Sequence, residues 1–352
     1  MLSQRVFSSK SAHWLGQWRG LRDVPPRVFI TQPIPEPGPS LIRDSGAEVL
    51  VNPDHRVLTV SELRQKVAGC DAVLCLLTDP IDASVLEAAK GCRIFSNMAV
   101  GYNNIDVKAA SERGILVTNT PGILDEATAD LTWALILAVA RRVVDGDCEM
   151  RSGRFPGWGP SYMLGGDVSG RTLGLIGPGR IAKAVAERAR GFRMKLLYHG
   201  RRPSTALEAL GATATTFENL LSESDFVSLH LPLTPETHHV INAQALARMK
   251  PTAYLINTAR GPVVDEKALV EALRAQTIAG AGLDVYENEP KMSPGLAGCE
   301  TAVLLPHLGS ATHATRAAMS RIAAENLLSA LAGKRPAYPV NPEVWHDAAP
   351  AG

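Results

Sequence analysis

The chain has 352 residues, 45% hydrophobic and 20% charged, which suits an ordinary globular protein long enough for two domains. Its 36 basic and 35 acidic residues leave a formal net charge of +1, so no global field gathers nucleic acid or an anionic membrane. Five scattered cysteines (Cys70, Cys75, Cys92, Cys148, Cys299) include no CxxC pair, so neither a disulfide framework nor a metal site is expected. Any bound anion must therefore be held by local groups.

In chain order, the segment before Asp23 carries Arg5, Lys10, Arg19 and Arg22, several serines and no acid. That is the composition of a mitochondrial transit peptide, and equally of an extension that targets nothing. Residues 1–26 are set aside as an N-terminal extension, with a cytosolic location expected and a mitochondrial one as the alternative. From Arg27 onward, short apolar runs alternate with helical patterns. Strands are predicted at Arg27–Thr31, Ala47–Val51, Asp71–Leu77, Arg93–Met98 and Ile115–Asn119. Helices are predicted at Ser61–Ala68, where Thr59 and Glu62 have capping-box spacing, and at Asp82–Lys90, closed by Gly91. The Pro-rich stretch Pro33–Pro39 is expected to be a loop.

A long helix over Glu126–Arg142 contains the longest apolar stretch, Leu131–Ala140, which includes Thr132, is too short to span a bilayer and is closed by Arg141-Arg142. No membrane partner is expected. A loop Gly153–Gly170 leads to a second series of strands at Arg171–Ile176, Lys195–Tyr198, Asp225–Leu231, Ala253–Asn257, Ala279–Val285 and Ala302–Leu305. Helices fall between them at Ile181–Arg190, Phe217–Ser222 and Asp265–Ala275. Such alternation means parallel sheets with crossover helices, and the second series is a complete doubly wound set. A last helix near Thr315–Leu331 could return to the first domain. Trp133 is expected to pack in the core or at an interface.

After the strand ending at Ile176 comes Gly177-Pro178-Gly179-Arg180-Ile181-Ala182, the GxGxxG/A dinucleotide turn in its required setting. Gly177 permits the tight turn, and Gly179 lets the backbone approach a pyrophosphate. Ala182 keeps helix and strand close, and the helix start at Arg180 and Ile181 supplies amide donors. Pro178 removes one possible donor. The next strand ends in His199-Gly200-Arg201-Arg202, with no carboxylate to meet a ribose 2′-hydroxyl and two guanidinium groups where a 2′-phosphate would lie. That points to NADPH/NADP+.

Three later segments carry reactive side chains: Asn257-Thr258-Ala259-Arg260-Gly261, Asp284-Val285-Tyr286-Glu287-Asn288-Glu289-Pro290 and Pro306-His307-Leu308-Gly309-Ser310. Reduction of a 2-oxo acid needs a cation for the carboxylate, a proton donor for the developing alkoxide, and an acid that steadies that donor. Arg, His and Glu meet those needs. His199, His230, His238, His239 and His313 are taken as structural or solvent-facing.

These segments, with Leu231-Pro232-Leu233-Thr234-Pro235-Glu236-Thr237, resemble the D-isomer-specific 2-hydroxyacid dehydrogenase family over Arg27 to about Pro342. Cys75-Leu76-Leu77-Thr78-Asp79, Gly200-Arg201 and the run from Pro306 through Thr312-His313 to Arg316 are most similar to its glyoxylate/hydroxypyruvate reductase branch. The resemblance implies an α/β architecture with two doubly wound parallel-sheet domains and a cleft between them. A flavodoxin-like substrate domain would comprise residues 27–124 plus 311–345, and a Rossmann NADP-binding domain residues 125–310.

It also implies roles at matching positions. Arg260 would bind the substrate carboxylate, His307 would be the general acid, and Glu289 would orient it. Val100 and Gly101 would form a second carboxylate clamp, and Ser310 would line the substrate pocket. Pro232, Thr258, Ala259, Asp284 and Gly309 would lie near the nicotinamide. The substrate would be a small 2-oxo acid and the assembly a homodimer, with the loop around Trp158 and Tyr162 near the partner subunit. A broader 2-oxo acid or 2-ketogluconate reductase, and a non-enzymatic NAD(P)-sensing corepressor, remain as alternatives.

Overall fold

The computed structural model describes residues 24–345. The expected N-terminal extension, with its transit-peptide composition, lies almost wholly outside the described residues. The chain divides into two compact units, one running to Ile123 and resuming at His313, the other spanning Leu124–Thr312.

The first unit is built on five parallel strands: β1 (Arg27–Ile30), β2 (Glu48–Val51), β3 (Ala72–Cys75), β4 (Ile94–Asn97) and β5 (Leu116–Thr118), in the order β2-β1-β3-β4-β5. Every residue of β3 and β4 is buried, as expected for central parallel strands covered on both faces. The crossover helices are α1 (Gly38–Asp44), α2 (Val60–Val67), α3 (Ala83–Ala88) and α4 (Val107–Glu112). Thr59 and Glu62 form the reciprocal capping box at the start of α2, and the Asp82 side chain accepts from two amides opening α3. One sequence expectation is corrected here. The Pro-rich stretch is not loop to its end, because α1 begins at Gly38 with Pro39 in its first turn, where a missing N–H costs nothing.

The second unit opens with α5 (Asp125–Ala140) and α6 (Val143–Arg151). Its strands are β6 (Thr172–Ile176), β7 (Lys195–His199), β8 (Thr213–Ala214), β9 (Phe226–Leu229), β10 (Tyr254–Asn257), β11 (Gly280–Leu283) and β12 (Ala302–Leu304). They form one parallel sheet in the order β12-β11-β10-β9-β6-β7-β8. The two-residue edge strand β8 is exposed, so no apolar run announces it in the sequence. The crossovers are α7 (Arg180–Ala189), α8 (Thr205–Glu208), α9 (Phe217–Glu223), α10 (Ala243–Arg248) and α11 (Glu266–Arg274). Trp133 belongs to the core of this unit: it is buried, stacks on Phe192 with ring centroids 4.5 Å apart, and its indole N–H donates to the Val185 carbonyl at 3.1 Å.

The chain then returns to the first unit as α12 (His313–Leu331). This helix lies on that unit's sheet, where Ser96 of β4 donates to the Ala323 carbonyl at 2.8 Å and Asn326 donates to the Asn119 carbonyl at 3.2 Å. Among the described residues, no helix is long and apolar enough to cross a membrane.

Candidate active site

In the second unit the strand order reverses between β6 and β9, the place where doubly wound sheets bind ligands. The turn leaving β6 is built for close backbone approach. Gly177 has φ +91°, and a Cβ there would stand 2.7 Å from the carbonyl carbon and oxygen of His230, at the end of β9. Gly179 is different: it is extended, and a Cβ there would meet nothing within 4 Å. No side chain caps α7, so the first-turn amides of Arg180 and Ile181 stay available, while Ala182 is fully buried against the sheet. An uncapped helix start beside an open glycine fits a dinucleotide pyrophosphate. The Arg180 Nε is engaged by Asp125 at 2.8 Å, which draws the side chain toward α5.

Beyond β7, Arg201 and Arg202 are exposed and make no ion pair within 4.0 Å among the described residues. The Glu236 carboxyl is held below its usual range by hydrogen bonds from Thr234 and its own amide, with a smaller contribution from the charge of Arg201.

The C-terminal ends of β10, β11 and β12 carry the reactive groups. After β10, Asn257 braces the next turn by accepting from the Ala259 amide and donating to the Arg260 carbonyl, both at 3.0 Å. Gly261 follows because a Cβ there would overlap the Tyr286 peptide. Arg260 is half-buried; burial pulls its pKa down, and the charge of Glu289 works against that.

After β11, Asp284 is buried and accepts from the amides of Leu308 at 2.6 Å and Gly309 at 2.8 Å, while its own carbonyl accepts from the His307 amide at 2.9 Å. It thereby fixes the turn that presents His307, which sits at φ +56°. Burial pushes the Asp284 carboxyl above its usual range despite the two amides. Sequence placed Asp284 near the nicotinamide; the structure gives it this further positioning task.

His307 Nδ1 lies 2.9 Å from Glu289 Oε2, and the Tyr286 amide donates to Glu289 Oε1 at 3.0 Å. Burial raises the Glu289 carboxyl, but the bond to His307 and its charge outweigh that and hold it below the ordinary range. With Nδ1 committed to Glu289, Nε2 of His307 has no partner among the described residues and is the atom free to deliver a proton. Arg260, Glu289 and His307, distant in sequence, are thus brought together.

The remaining candidates divide by environment. Thr258 shares a 2.9 Å hydroxyl bond with Thr132, and Thr128 donates to the Gly309 carbonyl at 3.1 Å, so α5 fixes both segments. Ala259 is buried, Ser310 is half-buried, and Pro232 is exposed with its carbonyl taken by Thr237. In the first unit, the carbonyls of Val100 and Gly101 accept from Asn119 at 2.8 Å and Asn97 at 2.9 Å. Their amides find no acceptor among the described residues, which suits a carboxylate clamp.

Sequence reasoning missed Glu266. It is buried at the first position of α11, and its carboxylate accepts from the Glu287 amide and, at 2.9 Å, from the Ser293 amide. It clasps the loop carrying Glu289 on both sides. An acid just after an N-cap reads locally as a partner of the helix dipole, so no local signal marked it.

A dinucleotide turn and a half-buried arginine beside a His–Glu pair, all on one doubly wound sheet, define a nicotinamide-dependent oxidoreductase. Residues 133–309 match the family described as D-isomer specific 2-hydroxyacid dehydrogenase, NAD binding domain, and the chain belongs to that family. It is 52% identical to a glyoxylate reductase of Korarchaeum cryptofilum over 323 residues, covering 91% of this chain and 97% of the relative. It is 48% identical to a glyoxylate reductase of Thermococcus litoralis over 330 residues, covering 92% and 99%. Among solved structures, an NADPH-dependent glyoxylate/hydroxypyruvate reductase of Sinorhizobium meliloti, in complex with NADP and malonate, aligns with TM-score 0.80 at 33% identity, covering 93% of this chain and all of that one.

Proposed function

We propose that the protein is an NADPH-dependent reductase of small 2-oxo acids, converting glyoxylate to glycolate and hydroxypyruvate to D-glycerate. The observation that carries the cofactor choice is the end of β7, where two solvent-facing guanidinium groups stand in place of an acid. A carboxylate there would repel a 2′-phosphate, whereas arginine grips one with paired charge-assisted hydrogen bonds. The glyoxylate reductases among the relatives support the substrate class.

When bound, NADPH supplies the hydride for the carbonyl carbon. The protein's own groups do the rest. The Arg260 guanidinium binds the substrate carboxylate and polarises the 2-oxo group, and its partial withdrawal from water lessens the screening of that interaction. His307 Nε2 gives its proton to the developing alkoxide, while Glu289 on Nδ1 fixes the ring and stabilises the imidazolium. Val100 and Gly101 supply the second carboxylate clamp, and Ser310 lines the pocket. Residues 27–124 plus 311–345 act as the substrate domain and residues 125–310 as the NADP-binding domain. A homodimer belongs to the same proposal, resting on the exposed apolar side chains Val143, Val144, Met150, Phe155, Trp158 and Leu164 that follow α5. So does a cytosolic location.

The test is initial-rate oxidation of NADPH and of NADH with glyoxylate and hydroxypyruvate supplied in turn. NADPH is expected to be preferred. Arg201→Ala/Arg202→Ala should raise its KM by about tenfold or more, from the loss of charge-assisted bonds, and leave NADH nearly unchanged. Preference for NADH in the unaltered protein would overturn the cofactor assignment, and no turnover with either acid would overturn the substrate assignment.

A further inference from the structure

Outside the catalytic group, the second unit gathers a separate set of ligating side chains at His238, His239 and Glu287. One donor atom from each lies within 4.8 Å of the others. The two imidazole rings stack with centroids 4.0 Å apart, and His239 Nε2 is 2.7 Å from Glu287 Oε1. We propose that these residues form a divalent transition-metal site of the two-imidazole, one-carboxylate type.

The donor chemistry selects the class of ion. Two imidazole nitrogens suit Zn²⁺, Co²⁺ or Ni²⁺, whereas Mg²⁺ and Ca²⁺ prefer oxygen alone. Zinc takes such donors at about 2.0–2.2 Å, so the three atoms need to draw to within about 3.5 Å of one another. His238 is exposed, so its ring can leave the stack on His239 to meet an ion.

The backbones that carry the donors are already anchored. The His239 amide donates to the Pro262 carbonyl at 2.9 Å and the Ile241 amide to Val263 at 3.0 Å. On the other side, the Glu287 amide bonds the buried Glu266 carboxylate, and the Glu266 amide reaches Glu287 Oε2 at 3.4 Å. A chelate between two fixed backbones loses little entropy on binding an ion. His239, taken from sequence as merely structural or solvent-facing, is therefore one arm of a built pair, and its ion would tie the 237–241 segment to the loop that also carries Glu289.

The experiment uses the full chain stripped with a chelator and titrated with Co²⁺, followed by its visible ligand-field band, with Zn²⁺ then added in competition and thermal unfolding recorded. One Co²⁺ per chain is expected, displaced by Zn²⁺, with Tm rising as either ion is added. His238→Ala, on the surface and without a fold to lose, and Glu287→Gln should each weaken binding by at least about tenfold, the scale on which metal-site side chains act. His55→Ala, an exposed histidine remote in sequence, should leave binding intact. Absence of a stoichiometric Co²⁺ band, or its survival in both His238→Ala and Glu287→Gln, would overturn the site, whatever the enzyme's turnover.

Discussion

The pyrrolidine ring of Pro178 lies over the α-carbon of Gly200, so closely that a Cβ at Gly200 would overlap ring carbons Cγ and Cδ. In sequence these look like two unrelated features, a proline inside the glycine turn and a glycine after the second strand; in the structure they are one packed pair. Gly200→Ala should therefore destabilise the second unit by about 1–3 kcal/mol, the usual cost of overpacking. Adding Pro178→Ala should recover part of it, with a coupling of about 0.5–3 kcal/mol in a double-mutant cycle of denaturant unfolding. Additive losses would show that the two residues do not share this contact.

The glycines of the turn should fail in different ways. Gly177→Ala places a methyl against the His230 peptide at a positive φ, so both folding stability and NADPH affinity should fall, the former by at least about 1–2 kcal/mol. Gly179→Ala meets open space at an ordinary φ, so its Tm should match the parent while NADPH affinity drops. Thermal unfolding beside a cofactor titration separates the two, and equal affinity in Gly179→Ala would mean the pyrophosphate does not approach there.

The Glu289–His307 pair makes a pH prediction. Because the Glu289 carboxyl is depressed, its ionised form, and any stability drawn from it, is fully present above the ordinary glutamate value of about 4.3 and is lost as pH falls through the lowered value. Turnover should thus keep its carboxylate through mildly acidic buffer. Glu289→Gln and His307→Gln should each cut kcat by about 10²-fold or more, and the double variant little further. A Glu289→Gln enzyme with the parent's rate and pH profile would remove Glu289 from the chemistry.

Glu266 is a positioning residue whose two oxygens each receive an amide, so Glu266→Gln must turn an NH₂ group toward one of those donors. Leaving a buried donor unmet costs about 1–3 kcal/mol. The expected result is a lower Tm together with a kcat loss larger than the change in KM, since the loop carrying Glu289 loosens while Arg260 stays. Unchanged kinetics at lowered Tm would restrict Glu266 to a structural part.

Much of the frame was legible because its signals are local. Continuous apolar runs separated by capped helices marked the strands of both sheets, except the edge strand β8, whose two exposed residues carry no pattern. The capping box at Thr59 and Glu62 could be read from spacing alone because both its bonds close within one turn. The Pro-rich stretch misled at its end, since Pro39 is compatible with loop and with a helix's first turn alike. Arg180 could be placed at the dinucleotide turn, yet that its guanidinium goes to Asp125 depends on how α5 and α7 lie together.

The sequence by itself determined the α/β alternation, the glycine turn after β6, the missing acid after β7, and which residue types could handle an oxo acid, because backbone sterics and hydrophobic period act over a few neighbours. Only the tertiary structure decided that Asp284 holds the His307 turn, that Glu266 clasps the Glu289 loop, that Trp133 is core, and that His238, His239 and Glu287 meet. Those relations join elements twenty or more positions apart, and their partners are chosen by sheet order and register, which fix distances that no local pattern encodes.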